Sequence, residues 1–197
     1  IVTVSDKGTG QGSVISPLLA NVYLHYTFDL WAERWRRREA TGDMIIVRYA
    51  DDFIVGFQHE ADARRFLDMM RERLQEFALS IHPEKTRLIE FGRFAAKNRK
   101  ERGLGKPETF NFLGFTHICG RSRKERFQLL RRTSRKRVQR KLSEVTVELR
   151  RRLHRPVPEV GRWLRSVIQG HINYFGVPLN YAALSSFRFQ IIWRWRR

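Results

Sequence analysis

Two adjacent carboxylates, Asp51 and Asp52, are the side chains of this sequence whose types and spacing most clearly point to chemistry. Carboxylates this close repel each other unless a positive charge lies between them. A divalent cation is the usual answer, because hard cations take oxygen ligands. Taken alone, the local pattern is more typical of an ordinary solvated turn, since Asp is common in turns.

Two apolar runs must position this pair, one on each side of it. Ile45–Ala50 and Phe53–Phe57 are rich in β-branched and aromatic residues, which is the composition of strands. Together they predict a β-hairpin over Met44–Gln58 with the Asp pair at or near its turn.

The elements around the hairpin are predicted to be mostly helical. Ser16 before Pro17 predicts a helix start with Ser as the N-cap, and residues 60–78 form an amphipathic helical pattern. Residues 87–91 are a strand candidate. The polar, basic residues 93–109 predict a mobile loop or hairpin tip.

The second half of the chain contains a further strand pattern and then helices. Phe110–Phe115 reads as a buried strand with a bulge at its glycine, and Phe127–Arg132 as a strand that pairs with it. From Thr133 the periodicity predicts three helices. The first of them carries a basic face, formed by Arg135, Lys136, Arg137, Arg140 and Lys141.

The charge of the chain is strongly asymmetric. The net charge is +19, yet residues 1–92 hold 12 basic and 14 acidic side chains, whereas residues 93–197 hold 27 and 6. A cationic half of this kind suits a polyanion, either nucleic acid or an anionic membrane. No apolar run approaches the roughly 20 residues that span a bilayer. The single cysteine, Cys119, fits a reducing cytosol, so a cytoplasmic protein without a membrane partner is expected.

Five segments, in the same order and spacing, resemble one known family. Tyr49-Ala50-Asp51-Asp52 resembles the active-site hairpin of reverse transcriptases, in the form common among group II intron reverse transcriptase/maturases. The other segments resemble the fourth, sixth and seventh conserved blocks of these enzymes and their helical thumb, or maturase-specific X domain. They are Gly8–Leu24, Pro83–Thr86, Phe110–Phe115 and residues 133–197. One mild departure is Gly10, where proline is usual.

The resemblance implies an α+β fold. A reverse-transcriptase palm, an antiparallel sheet with packed helices, would cover residues 1–132, and an all-α three-helix thumb would cover residues 133–197. The third block, with the first catalytic aspartate, and the fingers are not found in this sequence. We therefore expect a piece of a longer protein that has little or no polymerase activity alone. The uncovered palm surface would favour self-association.

The resemblance also implies a role for individual residues. Asp51 and Asp52 would be catalytic and would bind Mg²⁺, with Mn²⁺ as an alternative, and Lys85 would lie near the pyrophosphate leaving group. The nucleotide and the template would contact Gln11, Gly12, Tyr49 and Ala50. The primer grip would be formed by Phe112, Leu113, Gly114 and Phe115.

The implied function is RNA-directed DNA synthesis by two-metal phosphoryl transfer, together with binding and splicing of intron RNA. Its partners would be a group II intron RNA, an RNA template, a DNA primer and deoxynucleoside triphosphates. One alternative is a non-catalytic RNA-binding maturase module. Others are a reverse transcriptase of the CRISPR-associated or retron type and, on weaker grounds, a palm-type nucleotidyl cyclase.

Overall fold

The computed structural model describes residues 15–197, and the chain divides into two compact units, residues 1–88 and 89–197. Helices and antiparallel strands occur in both units, which confirms the predicted α+β class. The expected boundary between palm and thumb, at residues 132 and 133, lies inside the second unit and stays a prediction.

A long helix with a widened turn opens the described part of the first unit. It consists of α1 (Ser16–Leu24), a π-helical turn (His25–Asp29) and α2 (Leu30–Arg38). Ile15 is the N-cap, so Ser16 is the first helical residue and not the predicted cap. The π-helical turn places Thr27 and Phe28 in the core, and such turns are frequent at functional sites.

The predicted hairpin is confirmed and packs on the next helix. Strands β1 (Met44–Tyr49) and β2 (Asp52–Phe57) pair antiparallel, and α3 (Glu60–Glu76) follows. One apolar core joins these elements to the long helix. Its buried members are Phe28, Ala32, Trp35, Met44, Phe66, Met70 and Leu74.

Two predictions for the segment between α3 and the second sheet are wrong. Residues 87–91 form no strand. In this segment Glu90 instead accepts a hydrogen bond from Asn98 (2.9 Å) and forms an ion pair with Arg102. Residues 93–109 are not only a loop, because they contain α4 (Ala95–Glu101), which these contacts hold in place.

The second unit contains a three-stranded antiparallel sheet in the order β3-β4-β5. The strands are β3 (Phe110–Phe112), β4 (Phe115–Arg121) and β5 (Phe127–Thr133). The predicted pairing of residues 127–132 is confirmed, but the predicted bulge is wrong. The chain reverses at Leu113 and Gly114, which both have positive φ (48° and 80°), so the apolar run is a hairpin and not one strand.

Three helices complete this unit, as the periodicity predicts. They are α5 (Arg135–Arg151), α6 (Val157–Phe175) and α7 (Tyr181–Trp195). Ser134 is the N-cap position of α5, and α6 continues through Gly170 to Phe175. Their shared core contains Leu142, Val145, Val160, Leu164, Phe187 and Ile191. Within residues 15–197 no helix is both long enough and apolar enough to cross a membrane.

Candidate active site and nucleic-acid interface

The Asp pair lies at the tip of the hairpin in the first unit. Tyr49 pairs with Asp52 across the strands, which leaves Ala50 and Asp51 as a two-residue turn. Ala50 has a φ of 54°, in the left-handed region that residues other than glycine rarely adopt. Both aspartates are exposed, so their oxygens are accessible from solvent.

The two faces of the hairpin differ sharply. Side chains alternate along strands, so Met44, Ile46 and Arg48 share the face that packs on the core. The opposite face carries Asp52 beside Tyr49, and the side chains of β1 on that face are largely exposed. Those side chains are Ile45, Val47 and Tyr49. The hairpin therefore presents one carboxylate and an apolar, aromatic surface in the same direction.

Arg48 is an arginine in the core-facing phase of an apolar strand. Its guanidinium forms a forked pair with Asp29 of the π-helical turn, with Nε donating to Oδ1 (2.7 Å) and Nη2 to Oδ2 (2.5 Å). Its Nη1 donates to Oδ1 of Asn21 on α1 (2.9 Å) and to the backbone carbonyl of Ala50 (2.8 Å). One side chain thus joins the turn of the Asp pair to two segments of the long helix.

The electrostatics of this pair are those of a firm ion pair. The hydrogen bond from Arg48 lowers the pKa of Asp29 below its ordinary value, against the opposing effect of burial. The same bond raises the pKa of Arg48. Both groups are therefore charged throughout the neutral range.

The donor chemistry of Asp51 and Asp52 fits a hard divalent cation such as Mg²⁺, because both side chains offer carboxylate oxygens. Two carboxylates are fewer protein ligands than a site with two metal ions needs. Among residues 15–197 no group of three or more His, Cys, Asp or Glu side chains could hold a metal ion.

Of the other predicted residues of the first unit, the structure describes Lys85, which lies outside this turn. Gln11 and Gly12 lie outside the described residues. Lys85 is exposed on a separate turn, where its amide donates to the His82 carbonyl (3.2 Å). Of the predicted residues of the first unit that the structure describes, Tyr49, Ala50 and the two aspartates lie together.

The predicted primer grip is a hairpin turn braced by α6, within the second unit. The Tyr174 hydroxyl donates to the Leu113 carbonyl (3.2 Å), and the Ser134 amide donates to the Gly114 carbonyl (2.8 Å). A Cβ at Gly114 would lie 3.2 Å from the Phe175 ring, so this position favours glycine twice, for its φ and for its close packing. Phe115 in turn packs against the Phe175 ring (centroids 5.1 Å apart).

Asn180 ties the end of the sheet to the end of α6. Its Oδ1 accepts from the Thr133 amide (3.0 Å), and its Nδ2 donates to the Thr133 hydroxyl (2.8 Å) and the Phe175 carbonyl (2.8 Å). Asn180 is only 1% exposed. These bonds fix the β5–α5 corner, which lies next to the braced turn.

The basic face of α5 is exposed, as predicted, but its members differ. Arg140 and Lys141 both pair with Glu144 (3.3 and 3.2 Å), whose pKa is lowered mainly by the hydrogen bond from Lys141. No ion pair is formed within the described part of the chain by Arg135, Lys136 or Arg137, which occupy the first turn of the helix. Cations are unfavourable there, because a helix N-terminus carries partial positive charge.

Sequence reasoning missed Asn21, Asp29, Arg48, Tyr174 and Asn180. A signal existed for Arg48, since an arginine in the inward phase of an otherwise apolar strand needs a buried partner. No local signal marks Asp29 or Asn180, because their partners lie far away along the chain.

Two carboxylates exposed at the tip of a hairpin suit metal-dependent nucleotidyl transfer, because they offer oxygen ligands to a divalent cation. A family model described as reverse transcriptase (RNA-dependent DNA polymerase) matches residues 2–117, which is more than half of the chain. The chain therefore belongs to the reverse transcriptase family. No curated protein matches the chain significantly.

Proposed function

We propose that this chain is the palm and thumb part of a group II intron reverse transcriptase with a maturase role. The observation that carries the proposal is the Tyr49–Asp52 turn, with both carboxylates exposed at the tip of a rigidly packed hairpin. The substrates would be a DNA primer on an RNA template and deoxynucleoside triphosphates. The same site and chemistry would serve a CRISPR-associated or retron-type enzyme.

Asp51 and Asp52 would hold Mg²⁺, and Mn²⁺ would be an alternative. Such ions activate the attacking 3′ hydroxyl and neutralise charge on the triphosphate. The exposed Tyr49 and Ala50 would lie against the incoming nucleotide, as would Gln11 and Gly12. Lys85, exposed on its turn, would neutralise charge on the leaving pyrophosphate.

The primer would be held by the Leu113–Gly114 turn and its flanking residues, Phe112 and Phe115. What supports this role is the bracing of the turn, because Tyr174 and Ser134 bond both of its carbonyls. A backbone fixed in this way can orient a 3′ end without a charged side chain.

This chain alone would add few or no nucleotides. Two neighbouring aspartates cannot hold two metal ions unaided, and the described residues supply no third acid beside them. We propose that the missing carboxylate belongs to a segment of the parent protein that this sequence does not include.

RNA binding without chemistry is the second candidate function. The supporting observation is the unneutralised cationic first turn of α5, formed by Arg135, Lys136 and Arg137. Three cations at a helix N-terminus reduce the stability of the helix, so they fit a binding role better than a structural one. Phosphates of a structured RNA would relieve their repulsion.

Self-association is also proposed for the chain when it is isolated. Helix α1 buries none of its residues. Its exposed apolar side chains are Leu18, Leu19, Val22 and Tyr23. Sedimentation at moderate salt tests this proposal, and a monodisperse monomer would contradict it.

Primer extension on poly(rA)–oligo(dT) with Mg²⁺ and dTTP tests the main proposal. The proteins compared are this chain and the chain with a family-type third-block segment restored, each also on a poly(dA) template. Extension only with the segment restored, and more efficient on poly(rA), is the expected result. If neither protein extends the primer and both bind RNA tightly and in a salt-sensitive way, the RNA-binding function is favoured instead.

A further inference from the structure

We propose that Arg48 is a positioning residue for nucleotide addition, which fixes the Ala50–Asp51 turn against α1 and the π-helical turn. This inference rests on the proposed polymerase function and deepens it. Among residues 15–197, the Arg48 guanidinium alone contacts the turn, Asn21 of α1 and Asp29 together.

The turn needs such a restraint for a local reason. It has only two residues, it is exposed to solvent, and Ala50 holds a left-handed conformation that an alanine does not favour. The hydrogen bond from Arg48 Nη1 to the Ala50 carbonyl (2.8 Å) directly favours this conformation. The direction of the neighbouring Asp51 carboxylate depends on the same peptide.

The burial of Arg48 indicates that its contribution is to the geometry of the turn more than to the stability of the fold. Its side chain is only 15% exposed, in a strand phase whose neighbours Met44 and Ile46 pack on the core. A buried ion pair adds little to stability compared with apolar residues of similar size. An apolar residue could not replace the planar guanidinium, which donates hydrogen bonds to Asp29 on one side and to the Ala50 carbonyl on the other.

Asn21 extends the restraint to α1. Its Oδ1 accepts from Arg48, while its Nδ2 donates to the Pro17 carbonyl one turn earlier (3.0 Å). Residues 8–24 form the block that resembles the nucleotide and template contact of the family. A shift of α1 on nucleotide binding would therefore be transmitted through Arg48 to the turn that carries Asp51.

The test uses the parent protein, in which extension is measurable, with Arg48→Gln, Arg48→Lys and Asn21→Ala. The matched control is Arg65→Gln. Arg65 also pairs with an aspartate, Asp62, and bonds a backbone carbonyl, that of Glu39, but it lies away from the turn. Five quantities are measured for each protein. They are kcat, KM for primer–template, the Mg²⁺ concentration for half-maximal extension, amide hydrogen exchange across residues 44–57, and the melting temperature.

Arg48→Gln should lower kcat at least tenfold, raise the half-maximal Mg²⁺ concentration severalfold and speed exchange at the turn, with KM for primer–template unchanged. Arg48→Lys should recover the melting temperature but not kcat, because an ammonium keeps the charge and loses the fork. Asn21→Ala should show a smaller effect of the same kind. Arg65→Gln should change only the melting temperature.

The proposal is overturned if Arg48→Lys restores kcat, or if Arg48→Gln behaves like Arg65→Gln. It also fails if activity falls without faster exchange at the turn. Should Arg48→Gln not fold, Arg48→Lys and Asn21→Ala decide the matter. If the unsubstituted parent protein extends no primer, the polymerase proposal fails instead, and amide exchange still tests whether Arg48 holds the turn.

Discussion

The Tyr174 hydroxyl on α6 donates a hydrogen bond to the Leu113 carbonyl, 3.2 Å away, in the turn between β3 and β4. The two residues are separated by 61 positions, so the helix restrains a turn that its own strands leave exposed. Phe115 stacks on the same tyrosine, with ring centroids 6.2 Å apart. Helix α6 and the turn proposed as the primer grip are therefore held together by direct contacts.

Removing this bond should weaken primer binding by about as much as the bond contributes to holding the turn. Tyr174→Phe keeps the ring stacking and loses one exposed hydrogen bond, which is worth about 1 kcal/mol. We expect primer–template affinity of the parent protein to fall roughly threefold to tenfold, which corresponds to that energy. Fluorescence anisotropy with a labelled primer–template measures the change. Tyr181→Phe, at a tyrosine that is 80% exposed on α7, is the control. Equal affinities for the two variants would contradict the bracing role.

Asn180 should be among the most sensitive positions of the second unit. Asn180→Ala leaves the buried Thr133 amide and hydroxyl without their partner, and each buried unsatisfied group costs about 1–3 kcal/mol. We expect a loss of about 3 kcal/mol in unfolding free energy, measured by urea denaturation. Asn173→Ala, on the exposed side of α6, should change it by less than about 0.5 kcal/mol. A small effect of Asn180→Ala would mean that water replaces the amide easily.

His171 should make the stability of the second unit depend on pH. Burial lowers its pKa to about 4, with a further contribution from the positive charge of Lys141, and the ring lies flat on Phe187 with 3.7 Å between centroids. The unfolded chain, with the ordinary value near 6.5, binds the proton more readily. The contribution of His171 to stability is therefore fully present above pH 6.5 and is lost as the pH drops toward 4, by about 3 kcal/mol.

Urea denaturation at pH 7.5, 5.5 and 4.5 measures this dependence. His171→Phe should reduce the slope of the profile over that range, because no group titrates at the position. His154→Gln, at an exposed histidine, should leave the profile unchanged. An unaltered slope in His171→Phe would assign the pH dependence to other groups.

The first turn of α5 should bind RNA at the expense of helix stability. Replacing Arg135, Lys136 and Arg137 by Gln should weaken RNA binding and reduce the slope of log K against log salt by up to about 2. The same substitutions should raise the stability of the chain slightly, since cations oppose the helix dipole there. The control removes three cations elsewhere, at Arg150, Arg151 and Arg155. Equal losses in both triple variants would indicate a diffuse charge effect without a defined site.

The sequence predicts the hairpin well because its signal is local. Two β-branched runs flank an Asp-Asp pair, and the register of the strands follows from the alternation of core-facing residues such as Ile46 and Val55. The apolar stripes of α3, α5 and α6 are predicted for the same reason. In each case the residues that decide the structure are neighbours in sequence.

The secondary-structure predictions are wrong where contacts with distant residues determine the local conformation. Residues 95–101 are polar and basic, so no apolar stripe announces a helix, and Glu90 organises the segment from outside it. The run at residues 110–115 reads as one strand because its turn contains Leu113, a residue that turns seldom use. The restraint of the Asp51 turn by Arg48 also depends on Asp29, which is 19 positions away.

The proposed role of Asp51, a metal-binding carboxylate for RNA-templated DNA synthesis, can be tested with two variants of the same hairpin. Asp51→Asn and Asp43→Asn remove the same charge from the tip and from the base of one hairpin, and both residues are exposed. Primer extension on poly(rA)–oligo(dT) by the parent protein is measured for both variants. We predict at least a thousandfold loss for Asp51→Asn, about 4 kcal/mol in activation free energy, and a near-normal rate for Asp43→Asn. Retained synthesis by Asp51→Asn would contradict the account.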